Sequence, residues 1–581
     1  MLEPLLEAAR KLDDASLLPG RPELLLPVLA ISGDVSLAQI RDFITATHDE
    51  SDTTAVLSAV YVALKSDKLV PQPSDVDIDD GDSASILEDV ALKVGQMILP
   101  ISSGANFDED STDYTLLATI GLLGLHILSI LLDNRPKKSS LLPTRTLLSI
   151  IAFTSEDDPW TSSSSAELAQ SVLTEYFKNI PLQSSTSLTF TPQWSRDPRT
   201  DKKANDKKPK TEKARFITEE ILTNFLRPLF AKSRPTNITS SGRPAAYPEA
   251  PSRYTQGDGF GTNDITAQKP WKYARQYAVT LLEWSMAQSD AELLQEHWPL
   301  YTPVLLTLLD EPQPTSLKLR SLTIFRVFWR ACPDGLLSRT GLAEVFEQAV
   351  FPTVLNLPSI TPEAESCDLL AAAYPALLDM AGLENLDDKR GVAVGGSADV
   401  GPPESAGFSE AQRKLLDKII REGVMVGYHH AKQHVRLVDL LCQTLCRLMS
   451  GMGILSIKYL KDIIPMISEI LVDPFGTKYP PILLSATRLL HAVLQTCWPR
   501  MPHYCNEIIK FVMLAWMNIR DEDSFPSDGQ IKTELEKQLI KTVEMLSAIM
   551  TAAKLDISDR VSPLVAKEPQ LRPLFISYEE R

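Results

Sequence analysis

The sequence predicts an all-α protein, a HEAT-like helical-repeat solenoid of stacked antiparallel helical hairpins with long disordered inter-helix loops. Three observations favour this class. Apolar residues recur at three- and four-residue spacing along most of the chain, the periodicity of amphipathic helices. Strand-like alternation is sparse, and no Asn-Gly or Asp-Gly pair joins two strand-like segments. Finally, a pattern of Pro303, Asp310 and Arg320 in the centre has counterparts at Pro465, Asp473 and Arg488, as internal repeats require.

The clearest helical patterns lie in residues 271–380. An apolar stripe from Trp271 predicts the first helix, and Trp298-Pro299 predicts the start of the second, with proline at its first position. A third helix is predicted after a turn at 311–315. Thr340 is the predicted N-cap of the next, and Thr361-Pro362-Glu363 predicts the start of another.

The same region resembles a known family. The residues that carry the likeness are His297-Trp298-Pro299, LLTLLD at 305–310, LLSRTGLAEVFEQAV at 336–350, LPS at 357–359 and LLAAAY at 369–374. They resemble the second Tel-two-interacting protein family, although that family tends to have paired aspartates where this chain has Asp310-Glu311. The resemblance implies a non-catalytic scaffold subunit of the Triple T co-chaperone complex, without cofactors.

The resemblance also implies partners. These are the two other Triple T subunits, which are large helical-repeat proteins, and the heat-shock protein 90 system with its adaptor complex. Phosphatidylinositol-3-kinase-related kinases are the implied clients, whose maturation, stability and assembly the complex supports. Roles in the DNA damage response and in telomere maintenance follow from those clients.

Composition shifts divide the chain into six segments. The predicted segments are an N-terminal helical array at 1–182, a basic polar linker at 183–215, a short helix with a Pro/Gly/Ser-rich loop at 216–270, a central helical-repeat core at 271–383, a flexible loop at 384–409, and a C-terminal helical array at 410–581. The last residues, LRPLFISYEER, are predicted to form an extended or loosely packed tail.

Charge and targeting features limit the partners and the compartment. The formal net charge of −17 argues against direct nucleic-acid binding, which needs a cationic surface. The N-terminal residues lack the apolar centre of a signal peptide, so a cytoplasmic location is expected. A basic patch in the linker predicts a nuclear-import signal, and so an additional nuclear location, or a weak nucleic-acid contact; the alternative is a solvated spacer. This basic patch consists of Lys202, Lys203, Lys207, Lys208 and Lys210.

An uncharged stretch at 115–132 is almost long enough to span a membrane. Asp113 and Asp133 flank it, however, in place of the aromatic or basic residues typical of a membrane interface. A helix buried in the solenoid is the favoured interpretation, and no membrane partner is expected.

Few residues suggest chemistry. A zinc site is one interpretation of a group of possible ligands that includes two pairs at helical spacing. The group is His429, His430, His434, Cys442 and Cys446. If residues 409–449 form one continuous helix, the His and Cys pairs lie too far apart for one ion. The sequence has no nucleophile elbow, phosphate-binding loop or zinc-protease motif, so no catalytic or metal residue is predicted.

Six residues of the matching motifs are candidates for the partner-binding surface, because they are its polar or amphipathic members. They are Trp298, Asp310, Arg320, Arg339, Thr340 and Tyr374. The alternative is structural, with Asp310 and Arg320 bracing the repeats and Trp298 filling the core. A different HEAT-type adaptor, such as a transport or phosphatase scaffold, would have the same pattern, and an unrecognised enzyme or zinc protein is the remaining alternative.

Overall fold

The computed structural model describes most of the predicted helical regions. The described residues are 2–10, 29, 35–46, 52–66, 80–100, 114–133, 142–179, 211–233, 269–310, 314–333, 335–383, 408–521 and 530–579. They form helices and no β-strand, which confirms the all-α class. Residues 384–407 of the predicted loop at 384–409, residues 234–268 of the Pro/Gly/Ser-rich loop, most of the basic linker and the basic patch lie outside the described residues. The chain divides into two compact units, Met1–Thr307 and Leu308–Arg581.

The first unit is built mainly from two rows of helices. Its first seven helices are α1 (Leu2–Arg10), α2 (Leu37–Thr45), α3 (Thr53–Lys65), α4 (Asp80–Ile98), α5 (Tyr114–Asp133), α6 (Thr144–Ile151) and α7 (Ser163–Asn179). The odd-numbered helices pack against one another in one row, and α2, α4 and α6 form the other. The α4 and α6 helices are joined by the hydroxyls of Thr146 and Ser149, which donate to the carbonyls of Ala91 and Gly95 at 3.0 and 2.6 Å. Stacked helical hairpins of the predicted solenoid class are therefore observed.

Helix α5, which contains the uncharged stretch at 115–132, packs against α3, α4 and α7. Two glycines permit this close packing. A Cβ atom at Gly121 would lie 2.2 Å from the Phe153 ring, and one at Gly124 would lie 2.0 Å from Ile98. By length and composition α5 could cross a membrane, as could the stretch Val435–Val472, which Gly453 interrupts with a φ of 57°. About half of the apolar window of α5 is buried in the protein, in agreement with a packed helix.

The basic linker ends earlier than the sequence predicts. Its last residues, from Thr211, begin helix α8, which comprises Glu212–Arg215, a π-helical section Phe216–Leu226 and Arg227–Phe230. The Thr211 hydroxyl caps the helix by accepting from the backbone N–H of Ala214 at 3.2 Å. Local capping thus extends the helix into the charged sequence, because a threonine oxygen satisfies an otherwise unpaired donor.

Two helix boundaries in the centre also differ from the prediction. The stripe from Trp271 is not one helix but two, α9 (Pro270–Tyr273) and α10 (Ala278–Ala287). The next helix, α11 (Ala291–Asp310), begins before Trp298-Pro299 and contains Pro299 and Pro303 in its interior. Its start is capped by Asp290, whose carboxylate accepts from Leu293 N at 2.8 Å. A proline inside a helix costs about 3 kcal/mol or more, which exceeds what one cap contributes. The complete burial of Tyr301, Leu305 and Leu308 offsets that cost.

The second unit continues with the partner helices. They are α12 (Thr315–Ala331), α13 (Leu336–Arg339), α14 (Leu342–Val350), α15 (Glu363–Met380), α16 (Glu410–Lys418 with the π-helical Ile419–Met425 and Val426–Ala431), α17 (Val435–Met452), α18 (Leu460–Val472), α19 (Pro480–Thr496), α20 (Met501–Asp521), α21 (Gln530–Ala552), α22 (Ser558–Lys567) and α23 (Arg572–Glu579). We call α14, α16, α18, α20 and α22 the first row, and α12, α15, α17, α19 and α21 the second row.

Hydrogen bonds show that the helices of each row are parallel. In the first row, Tyr428 on α16 donates to Glu469 near the end of α18 at 2.8 Å, and Asn518 near the end of α20 donates to the Val472 carbonyl at 3.1 Å. In the second row, equivalent positions of α19 and α21 meet through His491 and Thr542 at 2.8 Å. Successive long helices alternate between the rows and run antiparallel, as in a HEAT-type array.

A buried carboxylate joins α12 to α15. Asp379, with a side chain 2% exposed, accepts from Arg326 Nε at 2.9 Å and from Arg330 Nη2 at 2.9 Å. The indole of Trp329 donates to the Asp379 backbone carbonyl at 3.1 Å. At the opposite ends of the two helices, the Thr315 hydroxyl donates to Glu365. The two helices are therefore fixed at both ends.

Three local predictions in this unit are wrong. Thr340 is not an N-cap; it ends α13, and its hydroxyl donates to the Leu336 carbonyl at 3.0 Å, while Gly341 precedes α14 with a φ of 75°. The predicted continuous helix 409–449 is interrupted at residues 432–434. The C-terminal residues are not an extended tail, since they form α23 and bury Leu574 and Phe575.

Candidate partner-binding surface

Exposed apolar side chains lie at successive turns along one edge of the second unit. This edge contains the connections from first-row to second-row helices, at residues 351–362, 432–434 and 473–479. Ile360 is 80% exposed and Phe475 is 78% exposed, and Leu355 and Val435 are each about two-fifths exposed. We call these four residues the apolar edge. Because the two most exposed apolar side chains lie on this edge, it is the candidate surface for binding a protein partner.

The local backbone holds the two most exposed side chains outward. Asp473 caps a 3₁₀ turn, Pro474–Lys478, by accepting from the backbone N–H of Phe475 at 2.9 Å. Ile360 lies in a turn in which its N–H donates to the Leu357 carbonyl at 2.9 Å. Because both turns are hydrogen-bonded, the backbone that presents these side chains is ordered before binding, which lowers the ordering cost of an interface.

Charged groups accompany the apolar edge. His434 Nδ1 lies 3.0 Å from Glu363 Oε2, which joins the turn before α17 to the start of α15. Lys432 forms an ion pair with Glu469 at 2.8 Å. An apolar edge with a mixed polar border can bind another protein, and the border would add specificity more than affinity.

The opposite edge also has exposed apolar residues. Ile454, Trp498 and Leu555 lie in the connections that lead from second-row helices back to the first row, with exposed fractions of 47%, 56% and 43%. They provide a matched comparison for experiments on the apolar edge.

The structure separates the six predicted surface residues into buried and exposed groups. Trp298, Arg320 and Tyr374 are 8%, 9% and 1% exposed. Their burial gives them a packing role, in agreement with the structural alternative for Trp298. Asp310 and Arg339 are exposed and Thr340 is half-buried. The structure does not bring the six together on one surface, and whether any of them contacts a partner stays a prediction.

Two of the predicted surface residues, Asp310 and Tyr374, are involved in shifts of side-chain pKa values. Burial lowers the pKa of Lys318, and the nearby Asp310 carboxylate opposes that change. The Lys318 ammonium donates to the Leu309 carbonyl and so caps the end of α11. Burial also raises the pKa of the Tyr374 hydroxyl, which is one of the buried polar groups without a hydrogen-bond partner in the described chain.

The candidate zinc ligands are separated from one another in the structure. His429 and His430 are exposed, His434 contacts Glu363, and Cys442 is fully buried in α17. Cys446 Sγ lies 3.8 Å from the Arg488 carbonyl. Within the described ranges, no group of three or more His, Cys, Asp or Glu residues is arranged to hold a metal ion.

Buried thiols in this unit are poorly suited to nucleophilic chemistry. Burial raises the pKa of Cys332 to about 12, and burial with the nearby Asp439 raises that of Cys442. The thiol form therefore predominates at neutral pH, whereas a nucleophilic cysteine needs its thiolate.

Sequence reasoning missed Ile360 and Phe475. Each stands among turn-forming residues, in LPSITP and DPFG, and an isolated large apolar residue in such a turn was the available signal. The 3.6-residue periodicity could not find them, because neither lies within an α-helix.

Comparison with known proteins gives one family match. A sequence model described as the Tti2 family matches residues 146–478, and no curated protein matches. Among solved structures, a crystal structure of SYS-1 at 2.6 Å resolution has a TM-score of 0.31 and 12% sequence identity, covering 95% of this chain and 88% of that one. This structural likeness is too weak to support an argument. The family match covers more than half of the 581 residues and includes all four residues of the apolar edge, so the chain belongs to the Tti2 family.

Proposed function

We propose that this protein is a non-catalytic scaffold subunit of the Triple T co-chaperone complex. The match to the Tti2 family over residues 146–478 carries this proposal. A co-chaperone role of this kind needs a stable, extended surface and no turnover. The parallel helix rows, fixed by buried groups such as Asp379, are suited to that task.

The finer function follows from the family. The protein would bind the two other large helical-repeat subunits and, together with heat-shock protein 90 and its adaptor complex, support maturation of phosphatidylinositol-3-kinase-related kinases. Through those clients it would serve the DNA damage response and telomere maintenance. It would act in the cytoplasm, and also in the nucleus if the basic patch is an import signal.

The apolar edge is the surface that we assign to partner binding. Ile360 and Phe475 are the most exposed large apolar side chains among the described residues. Burying one such side chain contributes about 1.5–3 kcal/mol, so a partner that covers both would gain substantial affinity. Interfaces depend on a few such anchors.

Affinity purification of the tagged full-length chain at near-physiological salt tests the proposal. Mass spectrometry should identify two large helical-repeat partners and kinases of the client family. The double variant Ile360→Asp with Phe475→Asp should lose the partners, whereas a matched double variant on the opposite edge, Ile454→Asp with Leu555→Asp, should retain them. Circular dichroism of both variants checks that they are folded.

The outcomes test the Triple T assignment and the assignment of the apolar edge separately. If neither helical-repeat partner is recovered with the unmodified chain, the Triple T assignment is wrong and a different HEAT-type adaptor becomes the better hypothesis. If the partners are recovered equally with both double variants, the function stands and the apolar edge is not the binding surface.

A further inference from the structure

The first unit contains a cavity that the co-chaperone function does not explain. It has a volume of about 610 Å³ and lies between α7, α10 and the first turn of α8, with Thr154 and Ser155 from the turn after α6 at its border. Cavities of this size are typical of ligand sites. Gln170, Thr174 and Lys178 of its lining are exposed, so the cavity opens to solvent and a chain segment could enter it.

Lys213 supplies the cavity with a cation. Its ammonium donates to the Gln288 side-chain carbonyl and lies 6.0 Å from the centre of the Phe177 ring. Burial lowers the pKa of Lys213, with no other group contributing to the change. Within the described part of the chain, no carboxylate forms an ion pair with this ammonium. A partly desolvated cation with only a neutral oxygen as its partner gains strongly from a bound anion.

The remaining lining adds an apolar wall. The rings of Phe177 and Trp284 lie 6.0 Å apart at an angle of 32°, and Leu173 and Ala287 complete the apolar surface. A large apolar side chain of a ligand could pack there, beside the cation. Aromatic rings of this kind are favoured as anchors at binding sites.

The charge of the lining restricts the anion. Lys178 adds a second cation and Glu283 adds one carboxylate, so the cavity has two positive groups against one negative group. Separate carboxylates along a peptide suit this balance better than a phosphate dianion, which would concentrate two negative charges near Glu283. The remaining polar lining, from Thr154, Ser155, Gln170 and Thr174, is neutral.

We propose that this cavity binds an acidic peptide segment of a partner protein, with a large apolar side chain against Phe177 and Trp284 and an adjacent carboxylate paired with Lys213. The proposal does not rest on the Triple T assignment. It concerns the first unit alone, and peptide binding is measured without the other subunits.

Fluorescence anisotropy with the full-length chain tests this directly. The probe is a fluorescein-labelled peptide, Gly-Asp-Asp-Phe-Asp-Asp-Gly, titrated at about 50 mM and about 300 mM NaCl. We expect saturable binding in the micromolar to millimolar range that weakens at the higher salt concentration. A peptide with alanine in place of phenylalanine, and one with lysines in place of the aspartates, should both bind more weakly.

Substitutions connect the binding to the cavity. Lys213→Gln should weaken binding about fivefold or more, since it removes the only cation held over Phe177 in the described cavity lining. Lys213→Arg keeps the charge and should retain most of the affinity. Lys461→Gln, which makes the same charge change at an exposed position of the second unit, should bind as the unmodified chain does.

Three results would overturn the proposal. They are no saturable binding of the acidic peptide, equal affinity of the Lys213→Gln and Lys461→Gln variants, and undiminished binding of the alanine peptide. Thermal unfolding of each variant checks that a loss of binding is not a loss of fold. Because the other Triple T subunits are absent from this assay, its failure leaves the proposed function unaffected.

Discussion

Replacing Asp379 with asparagine should destabilise the second unit substantially. The buried carboxylate accepts hydrogen bonds from Arg326 and Arg330 and is the connection between the ends of α12 and α15. An amide of the same shape loses the negative charge and turns an N–H₂ group towards one of the guanidinium groups. Both arginines then lose their counter-charge.

The magnitude follows from the exposure of the three groups. A hydrogen bond to a charged group contributes about 1.5–3 kcal/mol, and breaking a fully buried ion pair costs about 3–5 kcal/mol. Here Arg326 and Arg330 are 28% and 48% exposed, so water can solvate them once the carboxylate is gone. We therefore expect the free energy of unfolding to fall by about 2 kcal/mol, below the fully buried case.

Urea unfolding, monitored by circular dichroism, measures this change. The urea concentration at the unfolding midpoint should fall, while the dependence of the unfolding free energy on urea concentration stays the same. Asp368→Asn is the matched control, because Asp368 is exposed on the same helix and its substitution should change stability by less than about 0.5 kcal/mol. A double variant with Arg330→Gln should be less destabilised than the sum of the two single changes. If Asp379→Asn and Asp368→Asn unfold at the same urea concentration, the reasoning about the buried carboxylate is refuted.

Three further predictions concern packing, pH and location. Gly121→Ala should cost about 1–3 kcal/mol, because its Cβ would lie 2.2 Å from the Phe153 ring; an unchanged melting temperature would contradict this close packing. The Lys458 ammonium, with Tyr459 and Arg421, lowers the pKa of Asp417 to about 2. The lowered pKa stabilises the fold at pH values above the unfolded pKa of about 4, and this stabilisation is lost as the pH falls towards 2. The stability difference between the unmodified chain and Asp417→Asn should therefore shrink between pH 5 and pH 2. A difference that stays constant would exclude this ion pair as the cause. Replacing the five lysines of the basic patch with glutamine should reduce nuclear accumulation of a fluorescent fusion, and an unchanged distribution would favour the spacer interpretation.

Local sequence patterns predicted most helices well. The predictions that Thr361-Pro362-Glu363 starts a helix and that the uncharged stretch at 115–132 lies in a packed helix are confirmed by α15 and α5. These succeeded because apolar spacing and helix-start residues act over only a few positions. Where local features compete, the boundaries differed. Trp298-Pro299 indicated a helix start, yet the cap at Asp290 begins α11 eight residues earlier than the predicted position.

The candidate surfaces were less predictable. The motif residues Trp298 and Tyr374 suggested a partner surface, but the structure buries both. A sequence pattern shows that a side chain is apolar and lies on one helix face; it does not show which neighbour covers that face. The cavity at Lys213 could not be predicted from the sequence either. Its walls come from segments more than a hundred residues apart in the chain, from Thr154 to Gln288.

The sequence by itself determined the all-α class, the positions of most helices and, through the motifs at 297–374, the family. Helix formation depends on contacts within a few residues, so the necessary information is local. Only the tertiary structure decided that Asp379 joins two helices, that Ile360 and Phe475 stay exposed along one edge, and that Lys213 faces a cavity without a carboxylate partner among the described residues. These features depend on which distant helices pack together, and burial and charge pairing are properties of that packing.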